Sequence, residues 1–134
     1  MPNFHILLVE DNPDDVLLTQ LALAKGKTVS PDRLAVVRTG AEALARLTSR
    51  AAEPLPALVL LDLNLPDMDG KELIRRIRTN ERTASLPVVV LTASRVEEDM
   101  VQSWDLGADA YLSKPVDDRR LQTVLNRLKL LPVN

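Results

Sequence analysis

Short apolar runs alternate with longer amphipathic segments along the whole chain. Uninterrupted runs of Val, Ile and Leu that are bounded by turn residues indicate strands buried on both faces of a parallel sheet. Five strands are expected in all, at residues 5–10, 34–38, 58–62, 87–92 and, as a shorter strand, 110–113. The segments between and after them carry apolar side chains three and four residues apart, the spacing of a helix that covers a sheet. The pattern predicts one α/β domain, a doubly wound five-stranded parallel sheet with helices on both faces.

Capping residues mark where the helices begin and end. Asn12 and Pro13 are residue types preferred at a helix start, and Gly26 is expected to end that helix. Asp14 and Asp15, in its first turn, face the positive end of the helix dipole. The other four helices are expected from residue 40 to before residue 54, over about 71–80, from the acidic turn 97–99 to residue 107, and over about 118–130.

Composition and charge exclude several classes of function. A net charge of −2 gives no basic face for nucleic acid, and Arg119 and Arg120 are expected on a solvated face of the last helix. The single histidine, His5, cannot by itself build a histidine metal site or the usual histidine-assisted triad. The absence of cysteine excludes disulfides and thiolate chemistry, and it agrees with a reducing compartment.

Length and hydropathy indicate a small cytoplasmic protein. The 134 residues accommodate one domain, and no output domain is expected after the last helix. No apolar stretch approaches the roughly 18 to 20 residues that a membrane span needs. Residues 1–10 lack the basic start and the cleavage site of a signal peptide. We therefore expect no membrane partner and no nucleic-acid partner.

Polar side chains follow four of the predicted strands, and they are the candidate site. They are Glu10 and Asp11 after the first strand, Asp62 at the end of the third, Thr92 at the end of the fourth and Lys114 after the fifth. The carboxyl ends of parallel strands lie at one edge of a sheet, where ligands bind in open α/β folds. Close carboxylates favour a hard cation such as Mg²⁺, and an aspartate oxygen can attack phosphorus. With an amine and a hydroxyl to bind phosphate oxygens, the set predicts Mg²⁺-assisted phosphoryl transfer onto Asp62.

Four motifs make the chain similar to a known family over about residues 6–128. They are Leu-Val-Glu-Asp at 8–11, Leu-Leu-Asp-Leu-Asn-Leu-Pro-Asp-Met-Asp-Gly at 60–70, Val-Leu-Thr-Ala-Ser at 90–94 and Gly-Ala-Asp-Ala-Tyr-Leu-Ser-Lys-Pro at 107–115. In this combination the chain resembles the receiver domain of two-component response regulators. The resemblance implies a flavodoxin-like strand order of 2-1-3-4-5 and a stand-alone regulator that accepts phosphate from a sensor histidine kinase.

The resemblance also assigns roles to individual residues. It implies that Asp62 is the phosphoacceptor and that Lys114 contacts the phosphate. It places Mg²⁺ on Glu10, Asp11, Asp62 and the backbone carbonyl of Asn64. It makes Thr92 and Tyr111 a switch pair that changes the face formed by the fourth helix, fifth strand and fifth helix. It further implies a cis peptide bond between Lys114 and Pro115, and a place for Asn64 and Ser94 beside the path of an attacking water.

Three segments are similar to small regulators that are partnered with bacterial phytochrome histidine kinases. They are Asn-Pro-Asp-Asp at 12–15, Leu-Asn-Leu-Pro-Asp-Met-Asp-Gly-Lys-Glu at 63–72 and the run from 87 to 99. This similarity implies a phytochrome kinase as partner and a homodimer. On the predicted fourth helix, Trp104 shares a stripe with Val96 and Met100, close to Tyr111 on the next strand. Partial core packing explains such a stripe, and so does an interface; we expect this face to mediate dimerisation or partner binding.

The sequence is compatible with two other functions. An aspartate-nucleophile phosphatase on a similar sheet would want a second aspartate two residues after its nucleophile as general acid, and this chain has Asn64 there. A degenerate receiver that acts as a scaffold would not need the intact set of Glu10, Asp11, Asp62, Thr92 and Lys114.

Overall fold

The centre of the molecule is a five-stranded parallel sheet, seen in a computed structural model that describes residues 5–26, 29–49 and 54–130. The strands are β1 (Ile6–Val9), β2 (Leu34–Val37), β3 (Leu58–Asp62), β4 (Val88–Thr92) and β5 (Ala110–Ser113). Their order is β2-β1-β3-β4-β5, and every neighbouring pair is parallel. The predicted fold class and strand order are confirmed.

Five α-helices connect and cover the strands. They are α1 (Pro13–Lys25), α2 (Gly40–Thr48), α3 (Gly70–Thr79), α4 (Arg95–Gln102) and α5 (Asp118–Arg127). A short 3-10 turn, Pro31–Arg33, precedes β2 and was not expected from the sequence. Each helix starts on a polar side chain that accepts a backbone N–H of the first turn, and these caps are Asn12, Thr39, Asp69, Ser94 and Asp117.

Alternate residues of each strand point to opposite faces of the sheet and build two apolar layers. In β1, Leu7 and Val9 pack in the layer shared with α2, α3 and α4, whereas Ile6 and Leu8 pack in the layer shared with α1 and α5. Residues of β1, β3 and β4 are buried on both faces, as their uninterrupted apolar runs predict. Because the strand bodies are apolar, polar chemistry is confined to their ends.

Two helices are shorter than predicted. The fourth ends at Gln102 and not at Gly107, because Ser103 and Trp104 donate their N–H groups in tighter turns to Met100 and Val101. Asp105 then adopts a left-handed backbone conformation with φ of 53°. The fifth helix ends at Arg127 instead of residue 130.

The described helices include none with the length and apolar character that crossing a lipid bilayer requires.

Candidate functional site

The ammonium group of Lys114 lies among three carboxylates at the carboxyl edge of the sheet. Its Nζ is 2.8 Å from Asp15 Oδ2, 2.9 Å from Glu10 Oε1 and 3.1 Å from Asp62 Oδ2. Glu10 and Asp62 are buried, and Lys114 is mostly buried. A lysine ammonium carries three N–H donors, so each carboxylate can take one.

The parallel sheet explains why residues far apart in sequence meet here. Glu10 follows β1, Asp62 ends β3 and Lys114 follows β5, and these strand ends lie at the same edge. The backbone N–H of Lys114 donates to the carbonyl of Thr92 at 2.7 Å, which ties the end of β5 to the end of β4. The Lys114–Pro115 peptide bond is cis, as the family resemblance implied.

Burial and mutual proximity shift the pKa values of this cluster. Burial raises the pKa of Glu10 from 4.5 to about 7; the adjacent Asp62 carboxylate adds to the rise, and Lys114 opposes it. Burial by itself lowers the pKa of Lys114, but the carboxylates of Asp15, Glu10 and Asp62 outweigh that effect and raise it. The lysine is therefore charged throughout the physiological range, while Glu10 readily takes up a proton.

The loop after Asp62 is held in place by backbone and side-chain contacts. Asp62 Oδ1 accepts the N–H of Asn64 at 3.0 Å. Further along, the carboxylate of Asp67 accepts the N–H groups of Gly40 and Ala41 at 2.8 and 2.9 Å, at the start of α2. These bonds lower the pKa of Asp67. The loop that carries Asn64 is thus fastened both to the phosphoacceptor candidate and to a neighbouring helix.

Lys114 and its three carboxylate partners, Glu10, Asp15 and Asp62, are called the lysine cluster. Beside it, Asp11 and Asn64 line an open groove of about 720 Å³. Trp104 and Lys71 lie on its wall, with the Lys71 Nζ 4.6 Å from the centre of the indole ring. At this distance the ammonium is attracted to the ring face. Asp11 is exposed to solvent, in contrast to Glu10.

The carboxylate oxygens of the cluster are suitable ligands for a divalent cation, although their present arrangement is around the Lys114 ammonium. In the described ranges, no three acidic, histidine or cysteine side chains are arranged to hold a metal ion. The Lys114 ammonium contacts Glu10 and Asp62, two of the carboxylates predicted to bind Mg²⁺. Carboxylate oxygens are the ligands that Mg²⁺ prefers, and one ammonium among three carboxylates leaves the cluster with an excess of negative charge.

Thr92 and Tyr111, the predicted switch pair, form hydrogen bonds with the backbone of neighbouring segments. Thr92 is fully buried, and its hydroxyl approaches the carbonyl oxygens of Ser94 and Leu112 at 3.1 and 3.4 Å. Tyr111 is half-buried and lines a second groove, of about 310 Å³, between α4 and α5. Burial raises the pKa of Tyr111, against a hydrogen bond from the backbone of Leu106. Side-chain contacts therefore join Glu10, Asp62 and Lys114, whereas the Thr92 hydroxyl bonds to backbone carbonyls instead of to these side chains.

Two pairings were missed from the sequence. Asp15 was assigned only to the helix dipole, yet it makes the shortest of the Lys114 contacts. Arg120 was expected on a solvated face, which was wrong. Its Nη2 lies 2.9 and 3.0 Å from the two oxygens of the buried Glu98, and its Nη1 is 3.1 Å from Ser113 Oγ. Periodicity marks which face of a helix is apolar, but it carries no signal for polar partners that come from another helix.

Trp104 also differs from its prediction. It follows the end of α4 and does not continue a helical stripe, and it lines the groove beside Asn64 while Tyr111 lines the other groove. Val96, Met100 and Trp104 are nonetheless all exposed. Ser94, expected beside the path of a water, caps α4 by accepting the N–H of Glu97.

Comparisons with known proteins agree with this geometry. The model of the response regulator receiver domain family matches residues 6–126. The response regulator Rcp1 of Synechocystis is 42% identical over 112 residues, which are 81% of this chain and 75% of that protein. A solved Mn²⁺-bound form of response regulator Rcp1 is 36% identical with a TM-score of 0.71, covering 97% of this chain and 99% of its own.

Two further solved structures are similar over almost the whole chain. The bacteriophytochrome response regulator RtBRR is 39% identical with a TM-score of 0.85, covering 98% of this chain and 81% of its own. The phosphorylated cyanobacterial phytochrome response regulator RcpA is 38% identical with a TM-score of 0.72, covering 96% and 93%. The matched segment includes each of the strand ends that form the lysine cluster. The chain therefore belongs to the response regulator receiver domain family, whose members are regulatory phosphoacceptors that bind a divalent metal ion and are phosphorylated on an aspartate by sensor histidine kinases.

Proposed function

We propose that this protein is a stand-alone response regulator in which Asp62 accepts a phosphoryl group from a sensor histidine kinase. The observation that carries the proposal is the contact cluster at the carboxyl edge of the sheet. There, the Lys114 ammonium lies within 3.1 Å of Asp62 and 2.9 Å of Glu10. A buried carboxylate beside a fixed ammonium provides both a nucleophile and a group that can bind a phosphoryl oxygen.

In the transfer step, a carboxylate oxygen of Asp62 attacks phosphorus. The O–P bond forms as the N–P bond to the kinase histidine breaks, and the product is an acyl phosphate on Asp62. Lys114 exchanges its contact with Asp62 for one with a phosphoryl oxygen. The Asn64 N–H, bonded to Asp62 Oδ1 at 3.0 Å, keeps the other carboxylate oxygen oriented.

The metal ligands in this proposal are the carboxylates of Glu10, Asp11 and Asp62 and the backbone carbonyl of Asn64, and the ion is Mg²⁺. When bound, the ion neutralises the charge that develops between the carboxylate and the incoming phosphoryl group. Glu10 would exchange its contact with Lys114 for one with the ion. The Mn²⁺-bound form of the relative Rcp1 supports the binding of a divalent ion.

The phosphorylated state is read on the face formed by α4, β5 and α5. Phosphorylation adds roughly 0.5 to 1 unit of negative charge and three acceptor oxygens. Thr92 exchanges a backbone carbonyl for a phosphoryl oxygen, and Tyr111 turns into the space that is released. The ion pair between Glu98 and Arg120 joins α4 to α5 on this face. Phosphate then biases an equilibrium between two forms of the face.

The phosphoryl donor is a bacterial phytochrome kinase, and the protein acts in the cytoplasm, where the ATP that charges such kinases is available. Support comes from the relatives described as phytochrome and bacteriophytochrome response regulators. We also propose a homodimer through the patch of Val96, Met100 and Trp104, three exposed apolar side chains on or just after α4, with the half-buried Tyr111 of β5 on the same α4, β5 and α5 face. Apolar and aromatic patches of this kind are enriched at interfaces.

Intact-mass measurement tests the phosphoacceptor. The protein is incubated with Mg²⁺ and a small acyl phosphate, alongside Asp62→Asn and, as a control, Asp99→Asn, which alters an exposed aspartate of α4. We expect the wild-type protein and Asp99→Asn to gain one phosphoryl group that is lost with time. Asp62→Asn should gain none.

Other outcomes would contradict the proposal in distinguishable ways. Sustained turnover of phosphoesters would indicate an aspartate-nucleophile phosphatase. The absence of any modification of the wild-type protein, with Mg²⁺ and donor in excess, would indicate a scaffold. A mass gain that persists in Asp62→Asn would place the acceptor elsewhere.

A further inference from the structure

Asp15 is the member of the lysine cluster that the transfer reaction does not use. Its carboxylate accepts from Lys114 Nζ at 2.8 Å, although 99 positions separate the two residues in sequence. Glu10 and Asp62, the other two partners of the ammonium, are at or next to strand ends and belong to the proposed metal and phosphoryl machinery. Asp15 lies on a helix and stands outside that machinery.

The start of α1 fixes Asp15 in position. Its backbone N–H donates to the Asn12 side chain at 3.2 Å, and its carbonyl accepts the hydroxyl of Thr19 at 2.9 Å. The side chain of Asp15 is 27% exposed, whereas that of Glu10 is 1% exposed. A carboxylate on a capped helix at the rim can remain with Lys114 while the buried carboxylates change partners.

The three donors of the ammonium are committed to three acceptors, and the reaction removes two of them. Mg²⁺ takes Glu10 and Asp62 as ligands, and phosphorylation converts Asp62 into an acyl phosphate. A lysine side chain is a flexible four-carbon chain with a compact charge, so it needs a remaining partner to stay aligned. Without one, the ammonium would either leave the site or stay on Glu10 and compete with the cation.

We propose that Asp15 is a positioning residue that anchors the Lys114 ammonium while Glu10 and Asp62 bind the metal ion and the phosphoryl group. The role rests on the proposed function, since it matters only if Lys114 contacts phosphate. Asp15 keeps one donor of the ammonium occupied and leaves the other two free to reach phosphoryl oxygens. It acts through Lys114 and does not touch the reacting atoms.

The chain offers a matched control for this role. Asp14 is the neighbouring acid in the same turn, it is exposed, and its backbone N–H donates to the same Asn12 oxygen at 2.8 Å. Asp14→Ala and Asp15→Ala therefore remove equal charge from the same helix end. If Asp15 interacted only with the helix dipole, Asp14→Ala and Asp15→Ala would have the same effect on phosphorylation.

The rate of phosphorylation by a small acyl phosphate, measured by intact mass over a range of Mg²⁺ concentrations, gives the first readout. We expect Asp15→Ala to be about tenfold slower than the wild-type protein at saturating Mg²⁺, the order of size for losing one partly exposed charge-assisted hydrogen bond. It should also need more Mg²⁺ for half of its own maximal rate, because Lys114 then competes for Glu10. Asp14→Ala should match the wild-type protein, and Asp15→Glu, which restores a carboxylate, should recover most of the rate.

The ammonium resonance of Lys114 in ¹⁵N-edited NMR gives a readout that does not depend on phosphorylation. With saturating Mg²⁺, the signal should stay visible and protected from exchange in the wild-type protein and in Asp14→Ala, and broaden away in Asp15→Ala. If the signal disappeared from the wild-type protein when Mg²⁺ was added, the proposal that Asp15 anchors the Lys114 ammonium would be wrong.

The two proposals fail separately. If the wild-type protein takes up no phosphoryl group, the proposed function fails and the anchoring role fails with it. If the wild-type protein is phosphorylated and Asp15→Ala keeps the rate and Mg²⁺ dependence of Asp14→Ala, only the anchoring role is wrong.

Discussion

Glu10 is the most deeply buried of the three carboxylates around Lys114, and its protonation makes the stability of the protein depend on pH. Its side chain is 1% exposed. Burial, reinforced by Asp62, raises the pKa of Glu10 from 4.5 to about 7. In the metal-free protein, the folded state therefore binds a proton between these two pH values that the unfolded chain has already released.

The sign of the resulting pH dependence is fixed by that difference. A raised pKa in the folded state contributes stability that is fully present below pH 4.5 and is lost as the pH rises through about 7. We expect the free energy of unfolding in the presence of a chelator to fall from about pH 5 to about pH 8 more steeply in the wild-type protein than in Glu10→Gln. Chemical denaturation of both proteins measures it, because titrating groups that do not contact Glu10 cancel in the difference. Equal slopes would show that Glu10 titrates normally.

At the scale of elements, the loop between β3 and α3 depends on a close approach at Gly70. A Cβ at this position would lie 2.6 Å from the backbone Cα of Leu63, and the Gly70 N–H donates to the Leu63 carbonyl at 2.9 Å. A Cβ at Gly40 would lie equally close, 2.5 Å, to the sulfur of Met68. The difference is that a methionine side chain can move aside, whereas the backbone of Leu63 can move only if the loop moves.

Alanine at these two glycines should therefore have unequal effects. We expect Gly70→Ala to lower the free energy of unfolding by about 1 to 3 kcal/mol, the usual range for overpacking. It should also slow phosphorylation of Asp62, because Asn64 is displaced with the loop. Gly40→Ala should cost less in stability and leave the rate nearly unchanged. Urea denaturation and intact-mass kinetics test this, and equal losses in the two variants would contradict it.

The elements were largely predictable from the sequence, and the exceptions are their ends. Apolar runs located every strand to within two residues at either end, and those of β1, β3 and β4 are uninterrupted because these strands are buried on both faces. The ends of α4 and α5 were missed because residues other than glycine adopt left-handed conformations there. Lys129, with φ of 60°, ends α5 with N–H bonds from Lys129 and Leu130 back to Asn126 and Leu125. This is the closure usually made by glycine, and the sequence carries no glycine there to signal it.

The site was predictable in its strand-end residues and unpredictable in its helix residues. The topology places Glu10, Asp62 and Lys114 at one edge, so their contact follows from the fold alone. Asp15 and Arg120 were missed because each meets its partner through the packing of a helix against another element. The contacts of Lys114 with Glu10 and Asp62, two of the predicted metal ligands, were not foreseen from the sequence.

At the scale of the whole molecule, the two faces of the sheet present different surfaces. The layer with α1 and α5 leaves Leu17, Leu18 and Leu21 of α1 exposed. On the side of α4, the exposed patch consists of Val96, Met100 and Trp104. An aromatic ring that is 44% exposed and borders an open groove can be buried further by a second copy of the chain.

Light scattering tests the dimer that we propose for this patch. Trp104→Ala should raise the dimer dissociation constant by roughly tenfold or more, as expected for an aromatic residue at the centre of an interface. Leu21→Ala removes an exposed apolar side chain from the other face and should leave the mass distribution unchanged. A Trp104→Ala protein with wild-type assembly, and with wild-type phosphotransfer from its kinase, would exclude this patch as the interface.

The lysine at the centre of three carboxylates gives the chain an internal counter-ion for its most acidic region. Proteins whose carboxylates or thiolates gather around a metal often need the metal to fold, because nothing else balances the charge. Here the ammonium of Lys114 offsets part of that charge, and it is part of the same polypeptide. We therefore expect a freshly made molecule to fold in a magnesium-depleted cell. Under the proposed function, magnesium supply would limit how fast the protein is phosphorylated, and not how much folded protein is present to respond.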